Sequence, residues 1–168
     1  GPLHINDAED LLYFTSSHIL NDAPSKNNRE FIPLEIYKSL LIGKSWSEPV
    51  PFNEINTPEY NEAHPTLSNG GRMIIFASDR EGGFGGMDLY ISHKIDGHWS
   101  IPENMGSSVN TPGNEVFPFL HPTGQLYFSS DGLGGYGGLD IFQISINKKR
   151  QLGKSPINIG FPINSTKD

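Results

Sequence analysis

An all-β fold made of many short strands is what this sequence predicts, and three observations predict it. The 168 residues include 19 glycines and 13 prolines. Turn formers are thus about one residue in five, against roughly 12% in average chains, which leaves little room for long helices. Ten Phe, six Tyr and two Trp supply the large apolar side chains that a disordered linker lacks. The third observation is an internal repeat with a step of about 53 residues.

The repeat is clearest in its second half. Asn114-Glu115-Val-Phe-Pro118 through Gly124-Gln-Leu126-Tyr-Phe128-Ser-Ser-Asp131 lies over Asn61-Glu62-Ala-His-Pro65 through Gly71 and Ile75-Phe76-Ala-Ser-Asp79. Gly134-Gly135-Tyr-Gly-Gly138-Leu-Asp140-Ile-Phe142 lies over Gly82-Gly83-Phe-Gly-Gly86-Met-Asp88-Leu-Tyr90. Trp99-Ser100 matches Trp46-Ser47, and Val109-Asn110-Thr111-Pro112 matches Ile55-Asn56-Thr57-Pro58 and Ile163-Asn164-Ser165. A more diverged copy opens the chain. Leu12-Tyr13-Phe14 matches Leu126-Tyr127-Phe128, Glu35-Ile36-Tyr37 matches Asp140-Ile141-Phe142, and Leu3–Asn6 is set over Phe117–Leu120. In this copy an insertion spanning 17–33 replaces the glycine-rich loop.

Each repeat reads as four strands. In the last copy they are Val116–His121, Gln125–Ser130 and Asp140–Ile146, with an outer strand equivalent to Trp99–Met105 of the copy before. Leu126 and Phe128 fall on one face and Tyr127 on the other, as period-two alternation requires. Pro102 confines the outer strand to an edge. Four strands per repeat of this length indicate a propeller blade. The expected architecture is therefore an all-β propeller of three blades: 1–57, 58–112 and 113–168. Propellers typically have 4–8 blades. Three blades leave two unpaired faces, so the segment is expected either to be part of a propeller or to form half of a six-bladed ring as a homodimer.

Composition excludes several classes. A net charge of −7 disfavours a nucleic-acid surface and a polybasic membrane patch. No apolar run is long enough to insert into a bilayer. With no cysteine there is no disulfide framework, thiolate metal site or thiol nucleophile. No charged-then-apolar segment opens the chain, and Gly1-Pro2 reads as a tag-cleavage remnant.

The run from Asn114-Glu115 through Gly124, Leu126-Tyr127-Phe128, Ser130-Asp131, the glycine loop and Asp140-Ile141-Phe142, together with Trp99-Ser100 and Val109-Asn110-Thr111-Pro112, resembles the WD-repeat-like, TolB-type propeller repeat. It is most similar to the version found in OmpA-family envelope proteins of Bacteroidota, over nearly all of 58–168 and more weakly over 1–57. That resemblance implies a periplasmic, outer-membrane-associated module that binds envelope proteins, with an association with type IX secretion.

The glycine loops 79–88 and 131–140 are the sharpest motifs. Asp79, Asp88, Asp131 and Asp140 flank the glycines and could offer oxygens to calcium. The preferred reading is structural, with glycines supplying positive φ and the acids capping turns, and no cofactor is expected. Glu35 keeps an acid in the copy that has lost the glycines, which favours that reading. Phe84 and Tyr136 sit between glycines at the loop tips, where a core role is hard to build, and are expected to contact a partner. Asn27, Asn28 and Arg29 of the insertion are the other partner-contact candidates.

The remaining residues read as architecture. Phe117, Phe119, Tyr127, Phe128, Tyr90 and Phe142 read as inter-blade core, and Trp46 and Trp99 as clasps on the outer strand. The six histidines read as scattered surface or turn residues, without zinc-ligand spacing. Glu62 and Glu115 either ring a channel mouth or bond a neighbouring blade's backbone, the second being preferred. There is no G-x-S-x-G motif, and the serines recur at one blade position. The expected function is non-catalytic protein binding and scaffolding. A glycan- or peptide-processing hydrolase propeller is the alternative.

Overall fold

The computed structural model describes residues 3–17, 32–147 and 151–167. Asn27, Asn28 and Arg29 lie outside the described residues. Three antiparallel sheets follow one another along the chain. The first contains β1 (Leu3–Ile5), β2 (Leu11–Ser16), β3 (Glu35–Ile42), β4 (Ser45–Trp46) and β5 (Val50–Pro51). The second contains β6 (Glu62–Leu67), β7 (Met73–Ser78), β8 (Asp88–Ile95), β9 (His98–Trp99) and β10 (Glu103–Asn104). The third contains β11 (Glu115–Leu120), β12 (Gln125–Ser130), β13 (Asp140–Ser145) and β14 (Ile157–Asn158). The chain is a β-propeller segment of three blades, as the repeat predicts.

The outer strand departs from the expectation. In the first two blades it is broken into two dipeptides, β4 with β5 and β9 with β10, each pairing with the third strand. The serine between the pieces explains the break. The Ser100 hydroxyl accepts from the His93 N–H, and the Ser92 hydroxyl donates to the Ser100 carbonyl at 2.7 Å. Ser47 and Ser39 repeat the pattern in blade 1, where Ser47 Oγ accepts from Leu40 N–H. A side chain thus does the work of a ladder bond where Pro49 and Pro102 prevent a continuous strand.

Register corrects a second expectation. His4 pairs with Tyr13, and Phe119 pairs with Tyr127. His4 therefore corresponds to Phe119, and the alignment of Leu3–Asn6 over Phe117–Leu120 is one residue out. The reason is the turn, one residue longer from Ile5 to Leu11 than from Leu120 to Gln125. Separately, a β-bulge interrupts the first strand of the two later blades, between Ala63 and Thr66 and between Val116 and Phe119. His64 and Phe117 occupy it with φ of 57° and 54°. These left-handed conformations cost non-glycine residues on the order of 1–3 kcal/mol, so surrounding bonds must hold them. Thr15 Oγ1 accepts from His64 N–H at 2.8 Å, and the two rings stack with centroids 4.1 Å apart.

Each sheet has a leading face toward the preceding blade and a trailing face toward the next. The trailing face of blade 1 meets the leading face of blade 2 around Tyr13, Ile36, Phe52, Ile74, Phe76 and Tyr90. The trailing face of blade 2 (Met73, Ile75, Ala77, Leu89) meets Leu126, Phe128, Phe142 and Ile144 of blade 3. Phe76 and Phe128 stack on Tyr90 and Phe142 at the same place in their blades. These aromatics are core, as expected.

Phe117 and Phe119 are not buried, being 45% and 54% exposed, though Phe117 does reach across to blade 2 by stacking on His64. The bulge turns Phe117 out, and Phe119 stands beside half-buried Tyr127 on the trailing face of blade 3. That face otherwise carries Gln125, Ser129, Ile141, Gln143 and Ser145, where blade 2 has Met73, Ala77, Leu89, Ile91 and His93. The four polar side chains on this face weaken the expectation of a head-to-tail ring of two chains.

Candidate functional site

The recurring acids and amides are stitches between blades. Asn114 accepts from Met87 N–H through Oδ1 and donates through Nδ2 to Asp131. Asn61 does the same between Leu34 and Asp79. The adjacent glutamates are fully buried. Glu115 accepts from Thr111 N–H at 2.8 Å, from the Thr111 hydroxyl at 2.7 Å and from Ser130 at 2.6 Å. Glu62 accepts from Thr57 in the same way. These threonines end the preceding blade, so the glutamates bond a neighbouring backbone as the preferred reading has it. Burial pushes both glutamate carboxyls above the usual range, opposed by those hydrogen bonds. Asn56, Asn110 and Asn164 each close a two-way amide pairing with the third strand, at Ile36, Leu89 and Ile141.

The four aspartates considered for calcium separate into two kinds. Asp79 and Asp131 are exposed, and each receives both N–H donors of an asparagine, backbone and side chain. Those bonds hold the Asp131 carboxyl below its usual range. Asp88 and Asp140 are buried inside the glycine loops. Asp88 Oδ2 accepts from Phe84 N–H and from Asn104, while its Oδ1 is buried without a partner. Asp140 accepts from the N–H groups of Tyr136 and Gly137. Among the described residues no three His, Asp or Glu side chains converge as a cation would require. The glycines have a packing reason too. A Cβ on Gly85 would strike the backbone of Thr111, Pro112 and Gly113. Loop 82–86 is therefore the surface on which the connection to blade 3 rests, with Gly86 N–H donating to Gly113 carbonyl.

With the loops fixed from below, their tips face solvent. Phe84 is 47% and Tyr136 54% exposed, each carried between glycines on the same edge of its blade. Trp46 is exposed, but Trp99 does something the sequence did not suggest. It packs edge-on against Phe52 of blade 1 at 5.8 Å and so crosses the blade boundary.

Beside Trp99 a cleft of about 530 Å³ opens between blades 1 and 2. Tyr13 and Phe52 form its inner wall, their rings 5.5 Å apart. Lys38 stands 5.0 Å over the Phe52 ring and pairs with Glu54 at 3.3 Å, while Lys94 stands 5.8 Å over Trp99. A second hollow of about 310 Å³, reaching to Asp7 and Gly70, shares Leu11, Tyr13 and Lys94 with the first. The sequence signal for this site was available in the alignment. Lys38 and Lys94 fall where the next seam has Ile91 and Ile146.

The comparisons with known proteins fit this architecture. No family model and no curated protein matches the chain. Among solved structures, the α-L-arabinofuranosidase of Lactobacillus brevis is similar over 96% of this chain and 56% of its own, with 13% identity and a TM-score of 0.53. A structure from a study of two prolyl endopeptidases is similar over 88% of this chain and 19% of its own, with 17% identity and a TM-score of 0.42. The chain thus spans a fifth to about half of the proteins it resembles. What the likeness to the arabinofuranosidase shows is the fold alone, that of a β-propeller segment.

Proposed function

We propose that this chain is a non-catalytic binding module that docks protein partners of a bacterial cell envelope through its glycine-loop edge. The observation that carries the proposal is the pair of exposed aromatics, Phe84 and Tyr136, each held on a loop whose aspartate is buried and bonded to the tip's own N–H. Exposed aromatics on a rigid base bind with little loss of side-chain entropy, which is why such residues dominate interface energetics. The repeat's acids meanwhile serve to join blades, which accounts for their recurrence without chemistry. The periplasmic, outer-membrane-associated setting rests on the resemblance of the repeat to envelope propellers.

A photo-crosslinking residue at 84 or 136 tests this in envelope extract. One partner captured at both positions, and lost from Phe84→Ser/Tyr136→Ser, is the expected result. Equal capture from a control position such as Glu81 overturns it. The second reading, a glycan- or peptide-processing hydrolase, is favoured by the likeness to the arabinofuranosidase, an analogy at the level of fold. Turnover of an aryl arabinofuranoside or of a peptide library by the purified chain would establish it.

A further inference from the structure

We propose that the cleft between blades 1 and 2 is a binding site for a small organic carboxylate with an aromatic or similarly apolar body. The inference uses the seam and not the loop tips, so it stands or falls separately from the protein-docking reading. Three observations carry it.

The first is size and shape. At about 530 Å³ the hollow lies within the range of small-molecule sites, roughly 300–1,000 Å³, whereas the equivalent hollow at the second seam is about 190 Å³. Four equivalent positions explain the difference. The second seam closes over Ile91, Met105, Ile146 and Leu152. The first presents Lys38, Phe52, Lys94 and Trp99 in their places. The wall stays apolar while two aliphatic side chains give way to ammonium groups.

The second is the wall. Tyr13, Phe52 and Trp99 are tilted or edge-on to one another, and the buried Tyr13 and Phe52 hold it rigid. A flat apolar body fits against them. The cleft's polar lining is Lys38 and Glu54, paired with one another, with Ser47, Lys94 and His98 beside them.

The third is charge. The chain carries −7 overall, yet this cleft gathers two lysines. Lys38 is matched by Glu54, and Asp7 at the far end accepts from Gly70 N–H. Lys94 makes no ion pair among the described residues and stands where the two hollows meet. Its ammonium is the counter-charge for one carboxylate, and a charge-assisted bond there supplies direction to an otherwise apolar site.

Titration of 3-phenylpropanoate against a Trp46→Phe chain, followed by fluorescence of the remaining Trp99, tests the inference. A saturable change is expected. It should weaken about tenfold or more in Lys94→Met, and likewise when the probe is 3-phenylpropan-1-ol. Lys94 is exposed, so the melting temperature of the Lys94→Met chain should match its parent and exclude misfolding as the cause. Equal binding of acid and alcohol, or an unchanged affinity in Lys94→Met, overturns the carboxylate assignment. Failure of the free acid to bind where a peptide ending in Phe-carboxylate does bind overturns the small-molecule assignment.

Discussion

The two seams of this propeller segment are built from the same repeat and come out differently. At both, an asparagine pairs with the third strand, a buried glutamate grips the threonine that ends the previous blade, and stacked aromatics fill the leading face. The second seam packs Met73, Ile75, Leu89, Leu126, Phe128 and Ile144, with hollows of about 340 and 190 Å³ at its margins. The first is an aromatic wall with lysines and an opening. The buried glutamates differ as well. Glu62 is joined by Arg80 at 2.8 Å, whose guanidinium also lies 5.1 Å from the rings of Phe76 and Tyr90. Position 132 is the counterpart of Arg80, and a Cβ there would collide with the Thr111 side chain, so only glycine fits. A duplicated backbone therefore tolerates two solutions. One seam is tuned for packing, and the other gives up packing for charge and space.

The largest expected effect breaks the difference between the glutamates. Arg80→Ala leaves Glu62 buried without its cation and should cost about 3–5 kcal/mol in urea unfolding. A loss below about 1 kcal/mol would mean Thr57 and Ser78 suffice, as Thr111 and Ser130 do for Glu115. Next, Leu126→Ala at the closed seam should cost about 2–5 kcal/mol, and Leu11→Ala at the open seam clearly less, because Leu11 is only half-buried. Equal losses would remove the distinction between the seams.

The pH response sharpens the comparison along the inner strands. Burial lowers the His64 pKa to about 4, from an ordinary 6.5. Between those values the unfolded chain binds the proton and the folded chain does not. His64 therefore leaves stability intact above pH 6.5 and lowers it as pH falls toward 4. His64→Gln should flatten that slope in denaturation midpoints measured across the interval. An unchanged slope assigns the pH response elsewhere. Burial-raised carboxyls run oppositely, since a raised pKa makes the glutamates easier to bury as acids at low pH and costlier as pH rises.

Smaller effects concern the faces and loops. Lys38→Ile with Lys94→Ile, which copies the second seam into the first, should shrink the cleft and raise stability by about 1 kcal/mol. A drop would show that the lysine stems already pack as well as isoleucine. With its polar trailing face, blade 3 should not dock on blade 1 of a second copy. Sedimentation should give a mass near 18.5 kDa, and a mass of twice that would restore the two-chain ring. Because each loop aspartate is bonded to amide donors, a chelator should leave the melting temperature unmoved. A fall on adding EDTA would assign calcium to Asp88 and its orphan oxygen.

What Val-Asn-Thr-Pro does came only with the structure. The sequence alone was enough to set the number of blades and the order of strands, and to favour a structural use for the glutamates and the glycine loops. Those features are local or repeat at a fixed step, so each copy checks the others. Phe117 and Phe119 show where such reading stops. A side chain's alternation says which face it occupies only where the ladder is regular, and only the tertiary structure shows that Phe117 leaves that alternation and stacks on His64 of blade 2. The bulge at His64 and Phe117 was hidden because one extra residue shifts every later side chain without marking the composition. The cleft was hidden for a related reason. Tyr13, Phe52, Lys94 and Trp99 come from two repeats, and their meeting depends on how blades pack, a long-range property that no single repeat encodes.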